Sequence, residues 1–229
     1  MLGTDELESH KMKKIVSIIS WVFPGQYIKR MFVKEIIGRE NFPKGNFIFA
    51  ANHLSHIDWL IDGAVLTPRK FTFIAQVDKM TGIKGLLRDL LYWWAQVIPV
   101  NRNERESKKS AALAAEAMIK RGYCLIIYPE GTRSRDGQLH EFKSGVARLH
   151  LETGVPVLPV AHLGTYELMP PGQKFKAKRV VTVKIGKPLD FAKEREAAIL
   201  LDKKSQAFHG LCRDVAGKIE EAVGELLKD

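Results

Sequence analysis

Cysteine is nearly absent. Two residues, Cys124 and Cys212, in a chain of 229 exclude a disulfide framework, and no metal-ligand spacing surrounds either one. Cys124 lies inside an apolar run and reads as core rather than as a nucleophile; a reducing compartment fits. Long apolar runs are also missing. None approaches the roughly 20 residues that span a bilayer. The apolar stretch at residues 15–23 follows a basic cluster and breaks at Pro24-Gly25, without the small-residue cleavage site of a secretory signal. Glycine-rich signatures are absent: there is no Gly-x-Gly-x-x-Gly and no P-loop, which disfavours a dinucleotide- or P-loop-based enzyme. Gly-x-Ser-x-Gly, the strained serine turn of many hydrolases, is absent too. No internal repeat or low-complexity segment appears.

What is present is a globular composition, 45% hydrophobic and 27% charged, with length for one large domain or a domain plus a small appendage. Acids are outnumbered: 36 Lys and Arg face 26 Asp and Glu, for a net charge of +10 and a pI near 9.6. A basic balance points to nucleic acid, anionic lipid or a phosphorylated substrate. The excess is concentrated. Residues 11–39 hold Lys11, Lys13, Lys14, Lys29, Arg30, Lys34 and Arg39 against Glu35 alone. Within them Ile15, Ile18, Ile19 and Val22 recur at helical spacing, and Ile28, Met31, Phe32 and Ile36 do so after Pro24-Gly25. The pattern predicts two short amphipathic helices with Trp21, Phe23 and Tyr27 near the corner. Two readings stand side by side: helices lying in a membrane interface, or a helical pair covering the main core.

From residue 42 the pattern alternates. Strand-like runs at 46–51, 71–76, 97–101, 123–128, 156–161 and 179–186 are separated by helix-like stretches at 56–66, 83–95, 105–121 and 144–153. A final amphipathic helix at about 205–227 carries Val215, Ile219, Val223 and Leu226 on one side. Alternation of this kind predicts an α/β fold: a largely parallel central sheet covered by helices on both faces. The expected division is an N-terminal two-helix, membrane-associating segment at 1–40 and an α/β domain at 41–229.

Two stretches carry chemistry. In the first, residues 47–51 read as a buried strand, followed by Asn52, His53 and Ser55, a good N-cap residue, before an apolar helical pattern from Ile57. Residues five apart do not share a face of one helix. If His53 precedes the cap and Asp58 lies in the first turn, the carboxylate reaches back to the imidazole, giving a base with its orienting partner. The bland alternative is that Ser55-x-x-Asp58 is a variant capping box and His53 an ordinary turn residue. In the second stretch, Leu125-Ile126-Ile127-Tyr128 reads as a buried strand ending in Pro129-Glu130-Gly131-Thr132-Arg133-Ser134. Pro129 stops the ladder, and Gly131 permits a backbone conformation closed to other residues. Arg133 then projects from the carboxyl end of a strand, where open α/β sheets place ligands, and its guanidinium fork matches a phosphate. An ordinary turn is the alternative.

Taken together, Asn52-His53-x4-Asp58, Val97-Ile98-Pro99-Val100-Asn101-Arg102, Pro129-Glu130-Gly131-Thr132-Arg133-Ser134 and Val155-Pro156-Val157-Leu158-Pro159-Val160 resemble the four ordered blocks of the glycerolipid acyltransferase family. Its best known members are 1-acyl-sn-glycerol-3-phosphate (lysophosphatidic acid) acyltransferases. Phe142-Lys143-Ser144-Gly145 also fits the stretch after the third block. The resemblance implies transfer of a fatty acyl group from a CoA or acyl-carrier-protein thioester to a lysoglycerolipid hydroxyl. His53 would be the general base and Asp58 its orienting carboxylate. Gly131 and Thr132 would shape the acceptor loop, Arg133 would contact the phosphate, Glu130 would support substrate binding, and Arg102 would be an acceptor contact. The fourth block, ending near His162, reads as a buried strand without a catalytic role. A thiolate leaves readily, so no metal or cofactor is expected. The implied place is the cytoplasmic face of a membrane, peripheral or monotopic, on an anionic lipid surface.

One departure matters. Family members often carry a lysine after the strand that follows the first block, in a Phe-x-Ala-Lys context. Here Phe73-Ile74-Ala75 is followed by Gln76. That removes an expected phosphate contact and leaves Lys79 or Arg102 to compensate. Either the acceptor is still lysophosphatidic acid, or it is a less charged lysolipid, with a phosphodiester or an amino acid. From a different class, a basic nucleic-acid-binding protein remains as a rival: Gly82-Ile83-Lys84-Gly85 matches the Gly-x-x-Gly of a KH loop. No stacking-aromatic pattern accompanies that short motif, and no nucleic-acid partner is expected.

Overall fold

A computed structural model of the chain describes residues 25–76, 82, 83, 85, 86, 89, 92, 96–101 and 103–228. The first of the two expected N-terminal helices, Lys79, Arg102 and most of the expected helix at 83–95 lie outside the described residues. Among the described residues no helix is long and apolar enough to cross a membrane.

The centre is one seven-stranded sheet. Its strands are β1 (Val33–Ile37), β2 (Ile48–Ala51), β3 (Phe71–Gln76), β4 (Val97–Val100), β5 (Cys124–Ile127), β6 (Val157–Leu163) and β7 (Val181–Ile185). Their spatial order is β1-β7-β6-β2-β5-β3-β4. β2 to β6 run parallel to one another, β7 runs antiparallel to β6, and β1 runs parallel to β7. The expected mostly parallel sheet is therefore present. Because β1 and β7 run against the rest, their amino ends share one edge of the sheet with the carboxyl ends of β2, β5 and β6.

Side chains on a strand alternate between faces, and here both faces are buried. Ile48, Ala50 and Leu125 point into one apolar cluster with the helices Arg105–Lys120, Gly145–Thr153 and Gln206–Lys228. Phe49, Ala51 and Ile126 point into the other, with the helix Asp58–Leu66 and Ile28. All four residues of β2 are fully buried, which explains why its sequence is a continuous apolar run rather than an alternation. Val215, Ile219 and Val223 of the last helix are buried as their spacing predicts.

One expectation is corrected. Helical spacing through Ile36 predicts a helix over that residue, but the helix covers residues 25–32 and stops. Residues 33–37 form β1, paired with β7. Val33, Ile36 and Ile37 are β-branched and favour a pleated surface, and β7 offers an open edge to pair with. Helical and strand periods cannot be told apart over so few residues.

Candidate active site

Strand β2 ends at Ala51, and the chain turns before the helix Asp58–Leu66 begins. Asn52 makes that turn rigid. Its side-chain amide donates to the His162 carbonyl (3.1 Å) and accepts from the His162 amide (2.7 Å). The pair acts as one more rung between β2 and β6 after the ladder has ended. His53 follows, with its side chain 13% exposed, and its Nδ1 lies 2.8 Å from Oδ2 of Asp58, which is fully buried. The same oxygen accepts the backbone N–H groups of Leu54 and Ser55, each at 2.8 Å. The Ser55 contact is half of a capping box, so the bland reading of this spacing and the chemical one describe the same carboxylate. The Ser55 hydroxyl accepts the Ile57 amide at 3.5 Å, at the helix start. It donates to the carbonyl of Met169 at 2.9 Å.

Asp58 is held ionised. Burial pushes its pKa up, but the hydrogen bond with His53 and the charges of His162 and His53 carry it below the ordinary value. A carboxylate can only accept hydrogen bonds, so Nδ1 of His53 must carry a proton. In the neutral ring that puts the lone pair on Nε2, the tautomer a general base needs.

The loop after β5 grips the same turn from the other side. The Ser134 amide donates to the His53 carbonyl at 2.7 Å. The His53 amide donates to Oε1 of Glu130 at 2.7 Å. Glu130 is only 5% exposed, and burial raises its pKa to about 7 against that hydrogen bond. The resemblance assigns Glu130 to substrate support; in the structure its Oε1 also accepts the His53 backbone amide. Gly131 sits at φ 74, and a Cβ there would strike Lys143 Nζ at 2.5 Å. The lysine folds across the glycine, and the positive φ is what favours glycine here. Arg133 is half-buried, with Nη1 buried and without a partner among the described residues. Burial lowers the pKa of Arg133, while Asp58 raises it. Burial and then the charges of Arg133 and His53 lower that of the exposed His56. These shifts place the guanidinium close to His56 and Asp58.

Beneath His53 lies a second His–Asp pair that the sequence did not announce. His162 Nε2 is 2.6 Å from Oδ1 of Asp62, and both side chains are fully buried. Burial alone lowers the His162 pKa, but the charge and hydrogen bond of Asp62, with Asp58 beyond, raise it to about 9. His162 is therefore an imidazolium at neutral pH. Its charge is one of the groups that keep Asp58 ionised. The phenol of Tyr128, whose pKa burial and Asp62 push upward, donates to Oδ2 of Asp62 at 2.6 Å. The Tyr128 ring lies flat against the His53 ring, with centroids 4.1 Å apart and planes 11° apart. The signals available were Asp58 and Asp62 four residues apart, on one face of an otherwise apolar helix, and a histidine just past the apolar fourth block.

His53, Asp58, Glu130, Gly131 and Arg133 thus converge. Thr132 is exposed beside them. Gln76 ends β3 opposite Val100 of β4, on the same edge but two strands from β2, roughly 10 Å at ordinary strand spacing.

Comparison with known proteins agrees with this architecture. The family model described as Acyltransferase matches residues 34–163. A chloroplastic 1-acyl-sn-glycerol-3-phosphate acyltransferase of Brassica napus is 28% identical over 168 residues, 71% of this chain and 46% of that protein. The chloroplastic counterpart of Arabidopsis thaliana is 30% identical over 145 residues, 61% of this chain and 38% of that protein. The chain thus spans less than half the length of these curated relatives. The crystal structure of the 1-acyl-sn-glycerophosphate (LPA) acyltransferase of Thermotoga maritima superimposes with a TM-score of 0.65 at 27% identity, covering 100% of this chain and 85% of that one.

Proposed function

The chain belongs to the Acyltransferase family, and from that premise we propose that it moves a fatty acyl group from a thioester to the hydroxyl of a lysoglycerolipid. The observation that carries the reading is His53 Nδ1 held at 2.8 Å by a buried, ionised Asp58. Nε2 is left to face the acceptor. A glycerol hydroxyl is too weakly acidic to attack unaided. As its oxygen bonds to the thioester carbonyl carbon, its proton passes to Nε2. The tetrahedral adduct collapses, the carbon–sulfur bond breaks, and the departing thiolate takes the proton back from the imidazolium. Asp58 stabilises that imidazolium without moving, because three donors already fix its Oδ2. This sequence needs no covalent acyl-enzyme, metal or cofactor, and either acyl-CoA or acyl-carrier protein supplies the thioester.

The acceptor we favour is 1-acylglycerol-3-phosphate, giving phosphatidic acid. Arg133 supports it, with a buried Nη1 that has no partner among the described residues and a fork suited to phosphate. Lys143, folded over Gly131, brings a second cation to the same loop, which the absence of a lysine at position 76 makes necessary. The less charged acceptor stays as the second reading because Gln76 brings no charge. Labelled acyl-CoA offered with a panel of lysolipids tests both. Consumption of the thioester only with lysophosphatidic acid supports the first reading, and exclusive use of a diester acceptor overturns it. Loss of phosphate selectivity in Arg133→Ala and Lys143→Gln, with donor KM unchanged, separates an acceptor role from a structural one. The site edge faces lipid in this reading, at the surface of a membrane.

A further inference from the structure

Cations from two separate stretches of the chain converge on one cleft. It has a volume of about 520 Å³, runs between the helix at residues 25–32 and β1, and is lined by Lys29, Arg30, Lys34, Arg39 and Arg179, with Glu35 its only acid. None of these cations is ion-paired to a described residue. The walls are fixed. Ile28 of the helix is buried in the core, and β1 is held by its ladder with β7. Arg179 Nε donates to the Val33 carbonyl at 2.9 Å, which spends one nitrogen of the guanidinium and leaves the others free of described partners. At the far end of β1, Gly38 turns the chain at φ 80 against the Ile185 carbonyl. Asn41 Nδ2 donates to the same carbonyl at 2.8 Å, and Arg39 is carried between these two anchors. Burial, and then the charge of Arg39, lower the pKa of Lys29, as expected where like charges are pressed together.

We propose that this cleft binds the phosphorylated end of acyl-CoA, the 5′-diphosphate and 3′-phosphate of its nucleotide, and so makes CoA the carrier from which the acyl group is taken. Like charges gathered in a concavity repel one another, and a compact, multiply charged anion relieves that repulsion on entering. The volume is that of a small-molecule site. Guanidinium forks and ammonium groups are the usual partners of phosphate oxygens. A single phosphate would leave most of these cations unmatched, and an extended acidic surface would meet only those at the rim. Reach agrees with the assignment. β1 and β2 are three strands apart in the sheet, roughly 14 Å at ordinary strand spacing. The pantetheine arm between diphosphate and sulfur is about a dozen bonds long and extends to about 16 Å at ordinary bond lengths. β1 begins, at Val33, on the sheet edge where β2 ends, so a thioester anchored in the cleft can lie beside His53. The inference rests on the thioester-donor reading above.

The test titrates the full chain with CoA, 3′-dephospho-CoA and pantetheine. Wild type should bind CoA about fivefold more tightly than dephospho-CoA, and dephospho-CoA more tightly than pantetheine, with both gaps closing as salt is added. Lys29→Gln combined with Arg39→Gln should weaken CoA on the order of twentyfold, about fivefold per cation at a partly exposed site. It should raise the KM for acyl-CoA and bring CoA and dephospho-CoA toward parity, because the 3′-phosphate has lost its partners. Arg30→Gln combined with Lys34→Gln, both on the surface, repeats the comparison should the first pair fail to fold. Glu35→Gln should act in the opposite direction and tighten CoA a few-fold, which the loss of a structural contact would not do. An unchanged preference for CoA over dephospho-CoA in the double variants would overturn the proposal. So would weaker binding to anionic vesicles or to acyl-carrier protein with CoA affinity unchanged, since the cleft would then serve a surface and not a nucleotide. A wild type that distinguishes CoA from dephospho-CoA through these residues, yet transfers no acyl group to any lysolipid, would keep the site and remove the reading of the reaction.

Discussion

The molecule contains two His–Asp pairs built on one helix, and they differ in what surrounds them. Asp58 and Asp62 lie one turn apart on Asp58–Leu66. Each meets a histidine from outside the helix, His53 at 2.8 Å and His162 at 2.6 Å. His53 comes from a turn and is 13% exposed; His162 comes from the middle of the sheet and is fully buried. A buried pair that cannot meet substrate cannot act as a base, whatever its geometry. Hydrogen-bond distance alone therefore does not mark the chemistry; access of one ring nitrogen to a reactant does. The buried pair contributes a fixed positive charge behind Asp58 and, through Tyr128, a flat surface under His53.

The comparison breaks most sharply at the bases themselves. His53→Ala should cut turnover by ~10²–10⁴-fold, the usual contribution of a positioned base, with little change in the denaturation midpoint. Asp58→Asn should be nearly as harmful to turnover, because the imidazole loses its charged partner. Retention of near wild-type turnover in either variant, measured with saturating thioester, would remove the base assignment. His162→Leu should show the opposite profile. It leaves the buried Asp62 carboxyl short of a partner, so unfolding free energy should fall by about 3–5 kcal/mol. Turnover of the folded fraction should fall less than in His53→Ala. An equal loss of turnover, at full stability, would mean that the buried pair takes part in proton transfer.

Titration sharpens the same contrast. The pKa of His162 is about 9 in the folded protein, above the ordinary 6.5. The stability it contributes is therefore complete below about pH 6.5 and is lost as pH rises through 9. Asp58 is shifted the other way, so its contribution is present above its ordinary value of 3.8 and is lost as pH falls through the lowered one. Urea midpoints of wild type and His162→Gln, taken from pH 6 to 10, should converge as pH rises. Parallel curves would show that the imidazolium is not coupled to folding.

How much of this was readable beforehand follows from what each signal encodes. The sheet was, because β2, β5 and β6 are apolar runs bounded by polar turns. The contact between His53 and Asp58 was, because a strand-to-helix turn brings residues five apart together. β1 was not: five residues satisfy either period, and the deciding contact is β7, some 150 residues away. The buried pair was not, because Asp62 and His162 are separated by 100 residues. Glu130 was assigned by its neighbours in sequence, whereas its partner is the His53 amide across the site. Local pattern identifies groups able to react; only the fold says which of them face one another.

The smallest expected effect lies at Tyr128, whose side chain touches both pairs. Tyr128→Phe removes the 2.6 Å bond to Asp62 and keeps the ring stacked on His53. Asp62 still holds His162, so its charge stays paired, and the cost should be about 1–2 kcal/mol of stability for one lost hydrogen bond to a charged group. If the ring is what the base needs from Tyr128, turnover in Phe should stay within a few-fold of wild type. Tyr128→Leu should lose roughly tenfold more, because an aromatic contact contributes about 0.5–1.5 kcal/mol to fixing the imidazole plane. If Phe falls as far as Leu, the phenol and not the ring is what matters, and the two pairs form one hydrogen-bonded unit rather than a reactive pair resting on a structural one.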